Sequence, residues 1–240
     1  MIIALPTEYG AGIEIFGDYW DLENACRTIH KLTGQYPFKE EDRIQDFAIT
    51  LAYDLRKAYE KQREERTFGI DSYDTVVYRG VKILWPIFLF QLALLRWSAS
   101  YNPTTKEDQS NLFRLEHCAE KALNEFDPVV APKCISWLES FSGIRDSYLI
   151  QYTEEACYKY ITTHGNEKGR FKKLPLILNS FKPFSEEYKK YENHLKKEAE
   201  KSGRNFSEYR IDRPVKEFKW GCVAINGSRM RSNELLANEL

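Results

Sequence analysis

Two short stretches of this chain carry the side chains whose types and spacing could support chemistry or binding. The first is Gly17–Leu22 (GDYWDL), where Asp18 and Asp21 stand at a predicted junction between a strand and a helix. Carboxylates at such a position accept hydrogen bonds from backbone N–H groups and face the positive end of the helix. That structural role explains both aspartates. The functional alternative is an exposed edge formed by Tyr19 and Trp20, since both residue types are enriched among the anchors of protein interfaces.

The second stretch is Tyr53–Tyr59 (YDLRKAY), which is predicted to lie on a helix. Asp54 and Lys57 share one face of that helix and Arg56 belongs to another, so ion pairs on a solvated surface explain these charges. The alternative is a polar groove beside Tyr53 in which Asp54, Arg56 and Lys57 bind an anionic ligand or a protein partner. Nothing in the spacing identifies that ligand.

A third stretch, Gly165–Lys173 (GNEKGRFKK), has the composition of a basic loop. It carries four positive side chains with Phe171 among them. A loop of this kind could contact phosphates and stack on a base. A solvated connection between two helices explains the same residues.

The histidines and cysteines show no pattern typical of a metal site or a nucleophile. No histidine lies in an H-E-x-x-H motif or at zinc-like spacing from a cysteine. His117 next to Cys118 is the nearest approach to a nucleophile–base pair. Adjacent residues on a helix point about 100° apart, however, which argues against such a pairing.

Glycine motifs for nucleotides and catalytic serine motifs are also missing. Gly10 and Gly12 form only a G-x-G, in a turn between strands, and the chain has no G-x-S-x-G, P-loop or G-x-G-x-x-G. The sequence therefore predicts no catalytic residue, no metal and no cofactor.

Composition limits the classes of partner and location. The 240 residues are 42% hydrophobic and 30% charged with a net charge of −1, so the overall charge favours neither nucleic acid nor an anionic membrane as a partner. The N-terminus lacks the pattern of a secretory signal. Five widely spaced cysteines without a C-x-x-C pair are typical of reduced, mostly buried thiols in a cytoplasmic protein.

The element that must organise the fold is Ile83–Leu95 (ILWPIFLFQLALL), in which only Pro86 and Gln91 are neither aliphatic nor aromatic. A helix that is apolar all round is buried in a protein core or a membrane. This one would span about 20 Å, short of the roughly 30 Å hydrocarbon layer, and Arg96 follows it directly. The pattern predicts a central core helix over residues 83–100, with Gln91 hydrogen-bonded; an interfacial membrane segment is the alternative.

The N-terminal half is predicted to place the candidate residues on a hairpin and two helices. Met1–Leu5 and Gly12–Gly17 read as antiparallel strands, followed by a helix that is capped by Asp18 or Asp21 and ends at Gly34. A second helix is predicted over Glu40–Arg66. Thr75–Tyr78 is either a third strand or an extended entry to the core helix.

The C-terminal half is predicted to be helical up to residue 203. A Thr104-x-x-Glu107 capping box opens a helix that ends at Asp127-Pro128, and later helices start at Pro132, Thr153, Pro175 and Ser185. Glu217–Trp220 and Cys222–Ile225 have strand character and are candidates to join the N-terminal sheet. Residues 1–225 are thus predicted to form one domain, with a mobile tail over 226–240.

Three segments together resemble a bacterial family known as a domain of unknown function. They are GDYWDL at 17–22, YDLRKAY at 53–59 and LWPIFLFQLALLR at 84–96. The resemblance covers about the first half of the chain, and the tail after about Arg204 does not share in it. It implies no activity, so no catalytic residue follows from it.

These observations predict an α+β, mostly helical fold: a bundle of about seven helices around the core helix, with a small, mainly antiparallel sheet. The favoured function is a non-enzymatic cytoplasmic module of the immunity or accessory kind seen in bacteria, which binds an unknown protein. One alternative is an enzyme whose site joins Asp18, Asp54 and Arg56. Another is a nucleic-acid-binding protein that uses residues 165–173 and the basic end of the second helix.

Overall fold

The computed structural model describes residues 1–38, 42–69, 75–143, 149–162, 167–182 and 185–205, with two short strands at 218–219 and 222–223. Its first four strands are β1 (Ile3–Pro6), β2 (Gly12–Gly17), β3 (Glu64–Phe68) and β4 (Val76–Leu84). The helices are α1 (Tyr19–Thr33), α2 (Asp42–Tyr59), α3 (Trp85–Ala99), α4 (Lys106–Phe126), α5 (Ala131–Glu139), α6 (Leu149–Thr162), α7 (Glu167–Phe171), α8 (Leu174–Ser180) and α9 (Glu186–Ser202). The α+β, mostly helical class predicted from the sequence is confirmed.

The sheet is antiparallel throughout, with the strand order β1-β2-β4-β3. The predicted N-terminal hairpin is confirmed by the pairing of β1 with β2. On one face, Ile13 and Ile15 of β2 lie opposite Ile83 and Val81 of β4, and all four side chains are buried. The helices pack on this face because it is the apolar one.

The predicted second helix is wrong at its C-terminal end. The helix α2 stops at Tyr59, and Glu64–Phe68 forms the edge strand β3. Lys61 takes a φ of 64°, and the Gln62 N–H donates to the Lys57 carbonyl at 2.8 Å, which together end the helix in a Schellman motif. The polar residues after Tyr59 therefore lead into a charged edge strand and do not extend the helix.

The chain passes directly from β4 into the core helix. Thr75–Tyr78 is predicted as a third strand or an extended entry to the core helix; its residues 76–78 belong to β4, and this strand continues through Leu84. The predicted helix start at Ile83 is therefore two residues early, because Ile83 and Leu84 pair with β2. Pro86 occupies the first turn of α3, where its missing N–H costs nothing.

The helix α3 is the centre of the core, as predicted. Its residues Trp85–Leu95 are all buried. The Gln91 Nε2 group donates to the Phe47 carbonyl at 3.1 Å and to Thr50 Oγ1 at 2.7 Å, which confirms a hydrogen-bonded core amide. No helix in the described ranges is both long and apolar enough to cross a membrane.

The helices α1 and α2 form an antiparallel pair that carries both candidate stretches. Near one end, Gln45 Nε2 donates to the Thr33 carbonyl at 2.9 Å, and near the middle the Cys26 thiol lies 3.4 Å from the Ala52 carbonyl. At the other end, the first turn of α1 therefore meets the last turn of α2.

Two predicted caps in the second half are corrected, and one is confirmed. The capping box of α4 uses Thr105 and Asp108, one residue later than predicted. Thr153 does not cap a helix, because it lies buried inside α6. At α9, Ser185 Oγ accepts the Tyr188 N–H at 3.2 Å, as expected.

The C-terminal strands pair with each other. In the described residues, β5 (Phe218–Lys219) and β6 (Cys222–Val223) form a separate antiparallel pair, and the four-stranded sheet contains neither. The predicted mobile tail over 226–240 lies outside the described residues, and the single-domain boundary at 225 stays a prediction.

Candidate functional site

The packing of α1 against α2 creates a surface that we call the aromatic seam. It consists of Tyr19, Trp20 and His30 from α1 with Tyr53, Arg56 and Tyr59 from α2. The seam lies along the line where the two helices meet, and it joins residues from both stretches singled out in the sequence.

At one end of the seam, the Tyr19 ring makes edge-to-face contacts with two other aromatic rings. The Tyr19 ring centroid lies 5.1 Å from that of Trp20 and 5.1 Å from that of Tyr59. Trp20 is 69% exposed and Tyr19 is 43% exposed, so this end presents large apolar surface to solvent. Burial raises the pKa of Tyr59 to about 12, and its hydroxyl is therefore neutral at physiological pH.

At the middle of the seam, one cation stands over an aromatic ring. The Arg56 guanidinium carbon lies 5.2 Å from the centroid of Tyr53, and the His30 ring contacts the same tyrosine at 5.8 Å. Desolvation, helped by Arg56, lowers the pKa of His30, so its imidazole is neutral at pH 7. Arg56 thus supplies the positive charge at this point.

Asp18 and Asp21 serve the structure at the start of α1. Asp18 Oδ1 accepts the Asp21 N–H at 2.8 Å, which makes Asp18 the N-cap. Desolvation opposes the charged form of Asp18, but the hydrogen bonds from Asp21 and the nearby Met1 amino group outweigh it and hold its pKa below the usual range. Asp21 binds Arg114 at 2.8 Å and also pairs with the Met1 amino group.

Asp54 faces away from the seam. It is buried, and its Oδ1 lies 3.3 Å from Nη2 of Arg63, the residue just before β3. Burial raises the pKa of Asp54 to about 6, although the charges of Arg63 and Lys57 act in the opposite direction. Arg56 instead lies 3.9 Å from Glu60.

The structure therefore sorts the predicted site residues into separate groups. Tyr19, Trp20, Tyr53 and Arg56 lie on the aromatic seam. Asp18 and Asp21 bind the N-terminus and α4. Asp54 forms an ion pair with Arg63, and Lys57 acts on Asp54 through its positive charge. No described contact joins Asp18, Asp54 and Arg56, the residues of the enzyme hypothesis.

The predicted basic loop is wrong over residues 167–171, whereas Lys172 and Lys173 lie in an exposed turn. Glu167–Phe171 forms the helix α7, and Phe171 is fully buried, with its ring 4.7 Å from Phe126 and 6.2 Å from Trp85. Arg170 donates to the Tyr9 carbonyl at 3.4 Å, so this charge supports the β1–β2 turn. Residues 163–166 lie outside the described residues.

Four cysteines are buried, as the sequence indicated: Cys26, Cys118, Cys134 and Cys157. Burial raises the pKa of Cys118 to about 11 and that of Cys134 to about 12, so neither is a thiolate at neutral pH. His117 is exposed while Cys118 is buried, so the two side chains point apart. Among the described residues, no group of three or more histidine, cysteine or acidic side chains could hold a metal ion.

His30 is the seam residue that the sequence reasoning missed. It follows Tyr19 by 11 residues, about three helical turns, and so lies on the same face of α1. That spacing was the available signal. Its contact with Tyr53, however, depends on how α2 packs, which no local pattern reveals.

Most of the chain matches one known protein family. Residues 2–220 match the family described as "Domain of unknown function (DUF6904)". The chain belongs to this family. The match runs far beyond the first half of the chain and past Arg204, where the sequence resemblance was expected to stop. No curated protein and no solved structure matches the chain.

Proposed function

We propose that this chain is a non-enzymatic protein-interaction module that binds its partner through the aromatic seam. The observation that carries the proposal is Trp20, which is 69% exposed on a helix that is otherwise well packed. Burying on the order of 150 Å² of such a side chain in an interface contributes about 4 kcal/mol. An exposed tryptophan held against a tyrosine, which itself packs on a second tyrosine, is typical of an interface anchor.

Contacts within the chain hold one end of the seam in place, which favours recognition. Tyr19 and Trp20 lie in the first turn of α1, whose start is fixed by the Asp18 cap and by the bond from Arg114 to Asp21. Tyr59 sits in the last turn of α2 and braces Tyr19. Side chains that are already ordered lose less conformational entropy on binding.

The position of Arg56 favours a partner surface that carries an acidic group beside an apolar group. Arg56 extends over Tyr53 and its nearest carboxylate is 3.9 Å away, at a distance that leaves its fork available for a bidentate contact. The proposed partner surface therefore combines an apolar pocket for Trp20 with a carboxylate for Arg56.

The alternatives receive less support from the described contacts. Asp54 is held by Arg63 on the other side of α2 from Arg56. Phe171, the stacking residue of the nucleic-acid hypothesis, is a core residue. We also propose a bacterial immunity or accessory role and a cytoplasmic location; the buried free thiols support the location.

The test places a photo-crosslinking amino acid at Trp20 in living cells, with the same label at Leu176 as a control. Leu176 is 70% exposed on α8 and lies outside the seam. The proposal expects a partner captured from position 20 and not from position 176. That partner is then purified for binding measurements.

Substitutions then test the purified pair. Trp20→Ala should weaken binding by about a hundredfold and Tyr53→Ala by about tenfold, since interface anchors cost about 1–3 kcal/mol when truncated. Leu176→Ala should leave the Kd unchanged. Equal effects of Trp20→Ala and Leu176→Ala would contradict the seam as the binding surface.

A further inference from the structure

The strand β4 extends beyond its neighbour β2. It contains nine residues, but β2 pairs only with Arg79–Leu84, because β2 ends at Gly17 and the chain turns into α1. Val76, Val77 and Tyr78 are paired on the other side, with β3. One edge of β4 therefore has no strand beside it at these residues in the described part of the chain.

The register shows which backbone groups point to that open side. Successive residues of an antiparallel strand direct their N–H and C=O groups to alternate sides. The Trp85 N–H donates to the Ala11 carbonyl at 3.1 Å, in line with the β2–β4 register, so Trp85 faces β2. Every second residue faces the same side, so the backbone groups of Arg79 also face β2. Those of Val77 point to the same side, but β2 ends before it reaches Val77.

The pairing of β2 with β1 gives the same assignment of backbone directions independently. The Thr7 N–H donates to the Gly12 carbonyl at 3.0 Å, so the even-numbered residues of β2 face β1. Ile13, Ile15 and Gly17 must then face β4, where their register partners are Ile83, Val81 and Arg79. Both counts leave Val77 with an outward donor and acceptor, and its side chain is 53% exposed.

This open edge adjoins the aromatic seam. The side chain of Val77 lies on the same sheet face as that of Arg79, two residues further along β4. Arg79 Nη1 donates to the Tyr59 carbonyl at 3.3 Å, and the Tyr59 ring contacts Tyr19. A strand added beside Val77 would therefore direct alternate side chains toward the exposed end of the seam.

We propose that the partner contributes a linear peptide segment that adds to the sheet as a strand beside β4. Its backbone bonds the N–H and C=O of Val77, and its alternate side chains pack toward Tyr19 and Trp20. The inference rests on the proposed function of the seam and specifies the class of partner. Backbone pairing supplies affinity and the aromatic residues supply selectivity, as in other cases of strand addition.

A second copy of this chain fits the edge less well than a linear peptide does. If Val77 paired with Val77 of a second copy, Thr75 of that copy would lie opposite Arg79. Gly17 already occupies this position. A peptide segment can begin at the open position and leave it without this clash.

The experiment selects a phage-displayed library of random linear peptides on the full chain and measures enriched peptides as synthetic ligands. Val77→Pro removes the outward N–H and no ladder bond to β3, because that N–H points away from β3. Val77→Thr is the matched control, since it keeps the N–H and the β-branched shape. We expect Val77→Pro to weaken binding about tenfold or more and Val77→Thr to change it less than about threefold.

N-methylation of the peptide supplies a readout that does not depend on folding of the variant. Single N-methyl groups should abolish binding to the wild-type chain at every second position, because only alternate amides face β4. The inference is overturned if no linear peptide is enriched, if Val77→Pro binds as well as Val77→Thr, or if the N-methyl effects show no alternation. Loss of binding in Trp20→Ala with none in Val77→Pro would remove strand addition and leave the seam proposal standing; no loss in either variant would remove both.

Discussion

Asp54 is a buried carboxyl group whose ionisation is coupled to folding. Burial raises its pKa from 3.8 to about 6, despite the opposing charge of Arg63. Because the folded state binds this proton more tightly than the unfolded state, the contribution of Asp54 to the free energy of unfolding falls as pH rises through the window between these two values. A shift of this size corresponds to about 3 kcal/mol lost between pH 4 and pH 6.

Asp54→Asn should therefore flatten that part of the pH profile. Asparagine cannot ionise, so the stability lost by the wild-type chain between about pH 4 and 6 should be absent in the variant. Urea unfolding at closely spaced pH values measures both profiles. The same slope in Asp54→Asn and in the wild-type chain would show that another group titrates there.

Trp20 and Tyr53 show what sequence can and cannot reveal at the scale of a residue. Their types and their positions on predicted helices identify them as candidates for binding. That they lie on one surface depends on contacts between α1 and α2, such as the one between Tyr19 and Tyr59, which are 40 positions apart in the chain. No spacing rule for one helix predicts a contact between two helices.

At the scale of elements, local signals predicted helices better than strands. Ser185 at the start of α9 and Gly34 at the end of α1 were identified because caps depend on neighbours within one turn. The strand β3 was missed because its residues read as a polar continuation of α2. Glu64 is stabilised there by Lys82, 18 residues later, at 2.5 Å, and a local pattern does not contain that partner.

The end of α2 depends on a residue in an unfavourable conformation. Lys61 has a φ of 64° at the C′ position, where glycine is preferred because it has no Cβ. Lys61→Gly should raise the free energy of unfolding by about 0.5–1 kcal/mol. Lys61→Ala removes the same charge but keeps the Cβ, and it should give no gain. Chemical denaturation compares the two variants, and equal stabilisation by both would mean that charge, not backbone conformation, is responsible.

At the scale of the whole molecule, the helix α3 holds the sheet and the C-terminal helices in one core. Trp85 in its first turn contacts Phe171 of α7, and Phe90 stacks on Phe181 beside α8 at 5.0 Å. The sequence identified α3 because its residues are apolar on every side, and this property is independent of its partners. The sequence did not indicate that α7 would be one of those partners.

Substitutions at Phe171 and at the two lysines that follow it test whether residues 167–173 belong to the core or to a binding loop. The ring is fully buried between Trp85 and Phe126, whereas its neighbours Lys172 and Lys173 are exposed. Phe171→Ala should lower the free energy of unfolding by about 3–5 kcal/mol, as expected for truncation of a core phenylalanine. Lys172→Glu and Lys173→Glu should each change it by less than about 0.5 kcal/mol.

Urea unfolding separates these outcomes, and a salt titration with a generic single-stranded DNA adds a second criterion. If the segment is a core anchor, the double charge reversal leaves stability unchanged and creates no difference in DNA binding at low salt. Salt-sensitive binding that disappears in the charge-reversal variant would instead support the nucleic-acid hypothesis. The burial of Phe171 favours the first outcome, because a base cannot stack on a ring that is already enclosed by Trp85 and Phe126.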